Sequence, residues 1–202
     1  MSSGGVARDE VTGIVLAGGM GRRMGGVDKG LVELDGRPMV AHVLARLAPQ
    51  VGALLINANQ NPDRYALFGH PVIADAVGGF AGPLAGLHAG MTAATTDFVV
   101  TVPCDSPFLP ADLVARLARG LADGGAQLAV ARTLDQPHPV FALARRDVLP
   151  HLAAFLHAGG RKIDAWYATL RVVEVPFDDE ESAFRNINTA DELAAATAAG
   201  RH

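Results

Sequence analysis

The chain has 202 residues, half of them hydrophobic and 19% charged, and 17 basic against 21 acidic residues leave a formal net charge of −4 at pH 7. That length suits one domain with a continuous core, and the negative balance supplies no global field to hold nucleic acid or an anionic membrane. A single cysteine, Cys104, excludes an internal disulfide and cysteine-rich metal sites; with no apolar leader or spanning run, a cytoplasmic protein is expected, with neither nucleic acid nor membrane as a partner.

Residues 1–11 are small or polar without periodicity and read as a flexible arm, which leaves residues 12–202 as one domain. From there short apolar runs alternate with segments of helical spacing, the pattern of βαβ units in a mostly parallel sheet. Strands are expected over 13–16, 53–57, 72–74, 98–102 and 127–131, with further extended runs at 140–144 and 171–175, at least one of them antiparallel at an edge. Pro38, Pro83 and Pro110 stand where a first helical turn tolerates a missing N–H, and they open helices over 39–47, 84–94 and 111–122. A fourth helix is expected over 145–158. Thr189 and Glu192 form a capping box for a last one ending at Gly200. The fold class is therefore α/β, a three-layer αβα Rossmann-like arrangement on a mostly parallel sheet.

The densest signal follows the first strand. Leu16-Ala17-Gly18-Gly19-Met20-Gly21-Arg22-Arg23-Met24-Gly25-Gly26-Val27-Asp28-Lys29 interleaves glycines with Arg22, Arg23 and Lys29. Glycines let backbone amides approach a phosphate and the basic groups neutralise it, so the stretch reads as a polyphosphate cradle at the edge where open α/β sheets bind ligands. It is neither of the two common cradles. A dinucleotide fingerprint starting at Gly19 would need its third glycine at Met24, and a P-loop starting at Gly21 would need its lysine at Val27.

This stretch resembles the nucleotidyltransferases of the glycosyltransferase-A-like fold, and LAGGMGRRMGGVDKGL resembles the molybdenum cofactor guanylyltransferases, the MobA family, with the likeness running from Thr12 to Leu193. The resemblance implies transfer of GMP from GTP to the terminal phosphate of molybdopterin already bearing molybdenum, with release of pyrophosphate. It implies guanine and ribose on Leu16, Ala17 and Gly18, with Arg23 and Lys29 on the triphosphate. Transient contacts with molybdopterin-delivering proteins and apo-molybdoenzymes are implied as well. Related cytidylyltransferases or sugar-phosphate nucleotidyltransferases share the loop, although pyrimidine-using cofactor relatives read L-A-A-G where this chain has Leu16-Ala17-Gly18-Gly19. A carrier that binds GTP without turnover is the other alternative, against which Lys29 and Asp105 together argue.

Phosphoryl transfer from a nucleoside triphosphate calls for a divalent cation, Mg²⁺, held by carboxylates and phosphates. Asp75 and Asp105 both end apolar runs where such ligands stand; the Pro103-Cys104-Asp105 context resembles the family's metal-binding aspartate, and Asp75 is assigned with Asn57 to the nucleotide. Asn57 closes the second strand and matches the asparagine that contacts nucleotide in the family. Gly82-Pro83-Leu84-Ala85-Gly86 matches a family motif and runs a glycine turn into a helix N-terminus, which favours anions. For molybdopterin the resemblance points to Gly82, to His138 in a turn displayed between two prolines, and to Asn186 and Asn188 of an N-x-N-T stretch. Gly160-Arg161-Lys162 adds two cations at a helix start, suited to a phosphate or to plain solvation.

Overall fold

The computed structural model describes residues 5–17, 28–76, 82–187 and 192. Strand β1 (Val11–Leu16) is buried along nearly its whole length. A small hairpin of β2 (Glu33–Leu34) and β3 (Arg37–Pro38) leads into α1 (Met39–Leu47). There follow β4 (Ala53–Asn57), the short helix α2 (Pro62–Ala66), β5 (Val72–Ile73), α3 (Pro83–Ala93) and β6 (Phe98–Pro103). The second half comprises α4 (Leu113–Asp123), β7 (Leu128–Thr133), β8 (Gln136–Arg145), α5 (Leu149–His157), α6 (Ile163–Tyr167) and β9 (Val172–Pro176).

The main sheet has seven strands in the order β5-β4-β1-β6-β8-β7-β9, and every neighbouring pair is parallel except those made by β8. Both faces of the sheet are covered, which is why its strands read as continuous apolar runs. Alternate residues separate into two cores. Val11, Val15, Val100, Val102, Ala129 and Leu143 pack with Val43, Leu47, Leu117 and Leu121 of α1 and α4. Ile14, Val99, Leu128, Val130 and Ala142 pack with Leu84 and Met91 of α3, Leu152 of α5 and Trp166 of α6. The three layers expected from the sequence are thus present.

Four details depart from the sequence reading. The antiparallel strand is not at an edge: β8 lies between β6 and β7, while the run at 171–175 forms the edge strand β9 and pairs parallel. The reason is the tight hairpin Thr133–Gln136, whose Leu134 takes a positive φ of 49° and donates its N–H to Asp178 Oδ1 at 2.6 Å. Arg145 ends β8 instead of opening a helix, and α5 begins only at Leu149 after a 3-10 turn. His138 is a strand residue paired with Ala131, not part of a turn. Ahead of β1, Arg8 Nε donates to Val51 O at 2.9 Å, and Val11 is fully buried at the start of the strand. The helix expected at 189–200 lies outside the described residues.

The sheet is split at the edge formed by the carboxyl ends of β1, β4 and β6. β6 and β8 pair only from Phe98–Arg145 to Thr101–Ala142, so Val102 and Pro103 of β6 and residues 136–141 of β8 have no partner across that seam. Two prolines, Pro137 and Pro139, fall in the unpaired part of β8, where a missing N–H costs nothing. On the β7 side the register jumps between Val130 and Ala131, leaving residues 139–141 as a bulge. Two of the bulge's three carbonyls accept from side chains: Tyr167 Oη donates to Pro139 O and Thr101 Oγ1 to Val140 O, both at 2.7 Å.

Candidate active site

The parallel strands β1, β4, β5 and β6 end in register, Leu16 beside both Asn57 and Pro103, and Asn57 beside Ile73. The described residues that follow these ends are therefore gathered on one edge, where open α/β sheets bind their ligands. Ala17 continues the ladder by donating its N–H to Asn57 O at 2.8 Å, which fixes the backbone that leaves β1.

On the β4–β5 side two asparagines clamp an acid. Asn57 Nδ2 donates to Asp75 Oδ1 at 2.9 Å and Asn59 Nδ2 to Asp75 Oδ2 at 2.8 Å, while the Asp75 N–H donates back to Asn59 Oδ1 at 2.9 Å. Asn57 is 2% exposed, so its amide is a fixed group and not a solvated one. Its other wall is α3: a Cβ at Gly86 would collide with Asn57 Oδ1 and come within 2.7 Å of Leu16 Cδ2. The packing reason for that glycine and the placement of a site residue are one fact. Gly82 caps α3 with φ 60° and ψ −148°, a conformation nearly restricted to glycine.

On the β6 side Cys104 extends the pairing by donating its N–H to Leu16 O at 3.1 Å, so Asp105 emerges directly at the edge. Asp105 is 8% exposed and faces Lys29, whose Nζ lies 3.3 Å from Oδ2. Burial pushes the Asp105 carboxyl above the ordinary carboxylate range, and the ammonium of Lys29 pulls it part of the way back. The Cys104 thiol is driven up chiefly by burial and then by Asp105, which keeps it protonated and inert beside the site.

Asp75 and Asp105 do not form a carboxylate pair. They follow strands at positions one and four of the sheet order, and strand spacing of about 4.8 Å separates those ends by roughly 14 Å. They flank the end of β1 from opposite sides.

The split between β6 and β8 opens next to Asp105 as a cleft of about 490 Å³ lined by Pro103, Thr133, His138, Phe184, Arg185 and Asn186 among others. His138 stacks on Phe184 with ring centroids 4.7 Å apart and shares a 2.7 Å hydrogen bond between Nε2 and Thr133 Oγ1. Burial holds its imidazole below the ordinary histidine value, in the neutral form. Asn186 Oδ1 accepts from Ser106 Oγ at 2.6 Å, and the Ile187 N–H donates to Asp105 O at 2.9 Å, so the segment carrying Asn186 is tied to the loop carrying Asp105. His138 and Asn186, far apart in sequence, share this cleft. Gly82 is not among its lining residues. Arg161 is committed elsewhere, donating to Leu156 O and Gly160 O at the end of α5. A second cleft of about 720 Å³ lies at the opposite sheet edge, near Phe98, Arg145 and Arg171, and no residue singled out from the sequence lines it. Gly18, Arg23 and Asn188 lie outside the described residues.

The sequence matches the MobA-like NTP transferase domain over residues 13–172. The chain belongs to the MobA-like NTP transferase family. A molybdenum cofactor guanylyltransferase from Cupriavidus taiwanensis is 56% identical over 195 residues, covering 94% of this chain and 98% of its own. One of the same name from Shewanella putrefaciens is 50% identical over 182 residues, covering 90% and 93%. Among solved structures, molybdopterin-guanine dinucleotide biosynthesis protein A from Archaeoglobus fulgidus superposes with a TM-score of 0.78 at 27% identity, covering 94% of this chain and 98% of that one. As a MobA-like NTP transferase the chain is a nucleotidyltransferase, and among its described residues no helix is long and apolar enough to cross a membrane.

Sequence reasoning passed over Asn59, Tyr65, Ser106, Thr133 and Phe184. Asn59 had a readable signal, since Asn57-Ala58-Asn59 repeats the N-x-N spacing of Asn186 and Asn188. The others are contacts across the fold with no local pattern.

Proposed function

We propose that this MobA-like protein transfers GMP from GTP to the terminal phosphate of molybdopterin, forming the guanine dinucleotide form of the cofactor and releasing pyrophosphate. The reading is carried by one observation: an asparagine–aspartate clamp, a lysine–aspartate pair and a separate cleft stand side by side on one sheet edge. The names of the relatives, at about half identity over nearly the whole chain, supply the substrates.

The backbone at Leu16, Ala17 and Gly18, with Asn57 and Asp75, holds the guanine nucleoside. Lys29 and Arg23 hold the triphosphate. Asp105 suits Mg²⁺: it is one nearly buried carboxylate at an edge, and such ions take one or two carboxylates and complete their shell with phosphates and water. Among the described residues no group of three metal-binding side chains could hold an ion without that help. Bound there, Mg²⁺ would neutralise charge on the triphosphate and on the leaving pyrophosphate. As the triphosphate enters, Lys29 exchanges Asp105 for phosphate oxygens.

Molybdopterin occupies the cleft beside Asp105, with His138 and Asn186 as contacts, joined by Asn188 two residues on in the sequence and by Gly82 at the start of α3. An oxygen of its phosphate attacks the α-phosphorus. The new P–O bond forms as the bond to the bridging oxygen breaks, and pyrophosphate leaves with the electron pair. No general base is needed because the acceptor is already an anion, so catalysis consists of positioning and charge neutralisation.

The decisive experiment supplies molybdopterin with GTP, CTP or ATP in the presence of Mg²⁺ and identifies the dinucleotide and pyrophosphate formed. Product from GTP alone is expected. Product from CTP would make the chain a cytidylyltransferase, and GTP binding without pyrophosphate release would make it a carrier.

A further inference from the structure

The lysine of a phosphate loop works only if its backbone is fixed, and here the fixing group comes from a different element. Tyr65, on α2, is fully buried and its ring packs in the core formed with α1 and α4. Its hydroxyl donates to Asp28 Oδ1 at 2.5 Å, and Asn61 Nδ2 of the same short segment donates to Asp28 Oδ2 at 3.0 Å. Both oxygens of the residue before Lys29 are therefore held by α2 and its cap.

The residue after Lys29 is held by the same hydroxyl. A Cβ at Gly30 would collide with Tyr65 Oη and come within 3.2 Å of Cys104 Sγ, so the Cβ side of Gly30 is packed against both the phenol and Cys104. Cys104 precedes Asp105. One buried oxygen thus touches the segment on both sides of Lys29 and stands against the strand end that presents Asp105, across a Lys29–Asp105 gap of 3.3 Å.

We propose that Tyr65, with Asp28, is a positioning residue that fixes Lys29 toward the triphosphate through the contacts of its hydroxyl on Asp28 and Gly30. The proposal rests on the reading of Lys29 as a triphosphate ligand. Tyr65 itself touches no substrate, and removal of its oxygen acts only through Lys29.

The test titrates Mg²⁺–GTP by calorimetry into the full-length chain and into Tyr65→Phe, Lys29→Ala and the double variant, with Tm recorded for each. Tyr65→Phe keeps the ring and loses the hydroxyl; its GTP Kd is expected to rise about tenfold, in the range of one lost hydrogen bond to a charged group. In the Lys29→Ala background the same substitution is expected to change Kd less than about twofold, because the two residues form one unit. Asn61→Ala, at an exposed position, removes the other hold on Asp28 and is expected to raise Kd about threefold without disturbing the core.

Equal factors in both backgrounds would overturn the proposal by showing that the hydroxyl acts on the fold at large. Unchanged GTP affinity in Tyr65→Phe and Asn61→Ala, with Lys29→Ala weakened, would overturn it alone. Unchanged affinity in Lys29→Ala would overturn the underlying reading of the site and the proposal with it.

Discussion

Asp105→Asn separates what Asp105 does for the fold from what it does for the reaction. The wild-type carboxylate is 8% exposed and sits 3.3 Å from Lys29 Nζ, a Coulomb attraction of about 5 kcal/mol at an effective dielectric near 20. Desolvation nonetheless outweighs it, since the carboxyl is held above its ordinary range with burial as the largest cause. The sign follows from linkage: between the unfolded value of 3.8 and the raised folded one, the folded chain binds more protons, so stability falls as pH rises through that window and stays reduced at pH 7. The asparagine removes that penalty and keeps the volume, while Lys29, with 23% of its side chain exposed, can rehydrate. The variant is expected to gain about 1 kcal/mol, or about 3 °C in Tm for a chain of this size, and to lose roughly a hundredfold to a thousandfold in pyrophosphate release. Differential scanning calorimetry and a continuous pyrophosphate assay read both. A Tm drop of about 10 °C, the mark of a buried pair broken at a cost of about 3–5 kcal/mol, would refute the reasoning, as would transfer within tenfold of wild type.

Gly86→Ala brings a methyl onto Asn57 Oδ1 and Leu16 Cδ2. Despite a helix-propensity gain of up to about 1 kcal/mol, it is expected to cost about 1–3 kcal/mol in urea unfolding and to weaken GTP binding by loosening the Asn57–Asp75 clamp; an unchanged affinity would separate the clamp from the nucleotide. Burial keeps the His138 imidazole below the ordinary 6.5, so the unfolded chain takes up its proton first and stability declines as pH falls below about that value. His138→Phe retains a ring on Phe184 and is expected to flatten part of that decline in Tm profiles from pH 7.5 to 5, the remainder belonging to His88, also lowered by burial; an unaltered slope would count against the shift.

Asn57, Asp75 and Asp105, proposed for the nucleotide side, stand at or just after strand ends and were legible because their cues are local, while most of the glycine-rich run lies outside the described residues. A glycine-rich run after a buried strand, and polar residues at the ends of Ala53–Asn57 and Phe98–Pro103, depend only on strand periodicity and on the rule that ligands meet the carboxyl edge. The cleft side was legible only through the family resemblance, which named His138 and Asn186 but not the strand that carries His138. The hairpin at Thr133–Gln136 carries Leu134 and Asp135, with neither glycine nor asparagine to announce a tight turn, so the reversal of β8 left no trace in the pattern. Pro137 and Pro139 suggested a turn because prolines are foreign to central strands, yet they lie where β8 has no partner on the β6 side. The pairing of Tyr65 with Asp28 spans 37 residues and has no periodic signature at all.

The seam between β6 and β8 has a consequence for how this catalyst could diversify. The groups proposed for the nucleotide ride mainly on β1, β4 and the segment after β5, whereas most of the opening's walls belong to β8 and to Glu181 and residues 184–186, with Pro103 of β6 and Thr133 of β7 completing them. Under the proposed assignment, replacing the stretch from 133 to 141 remodels the wall for the second reactant and leaves the proposed donor side intact. On that assignment, one reversed strand makes the two halves of a condensation independently heritable.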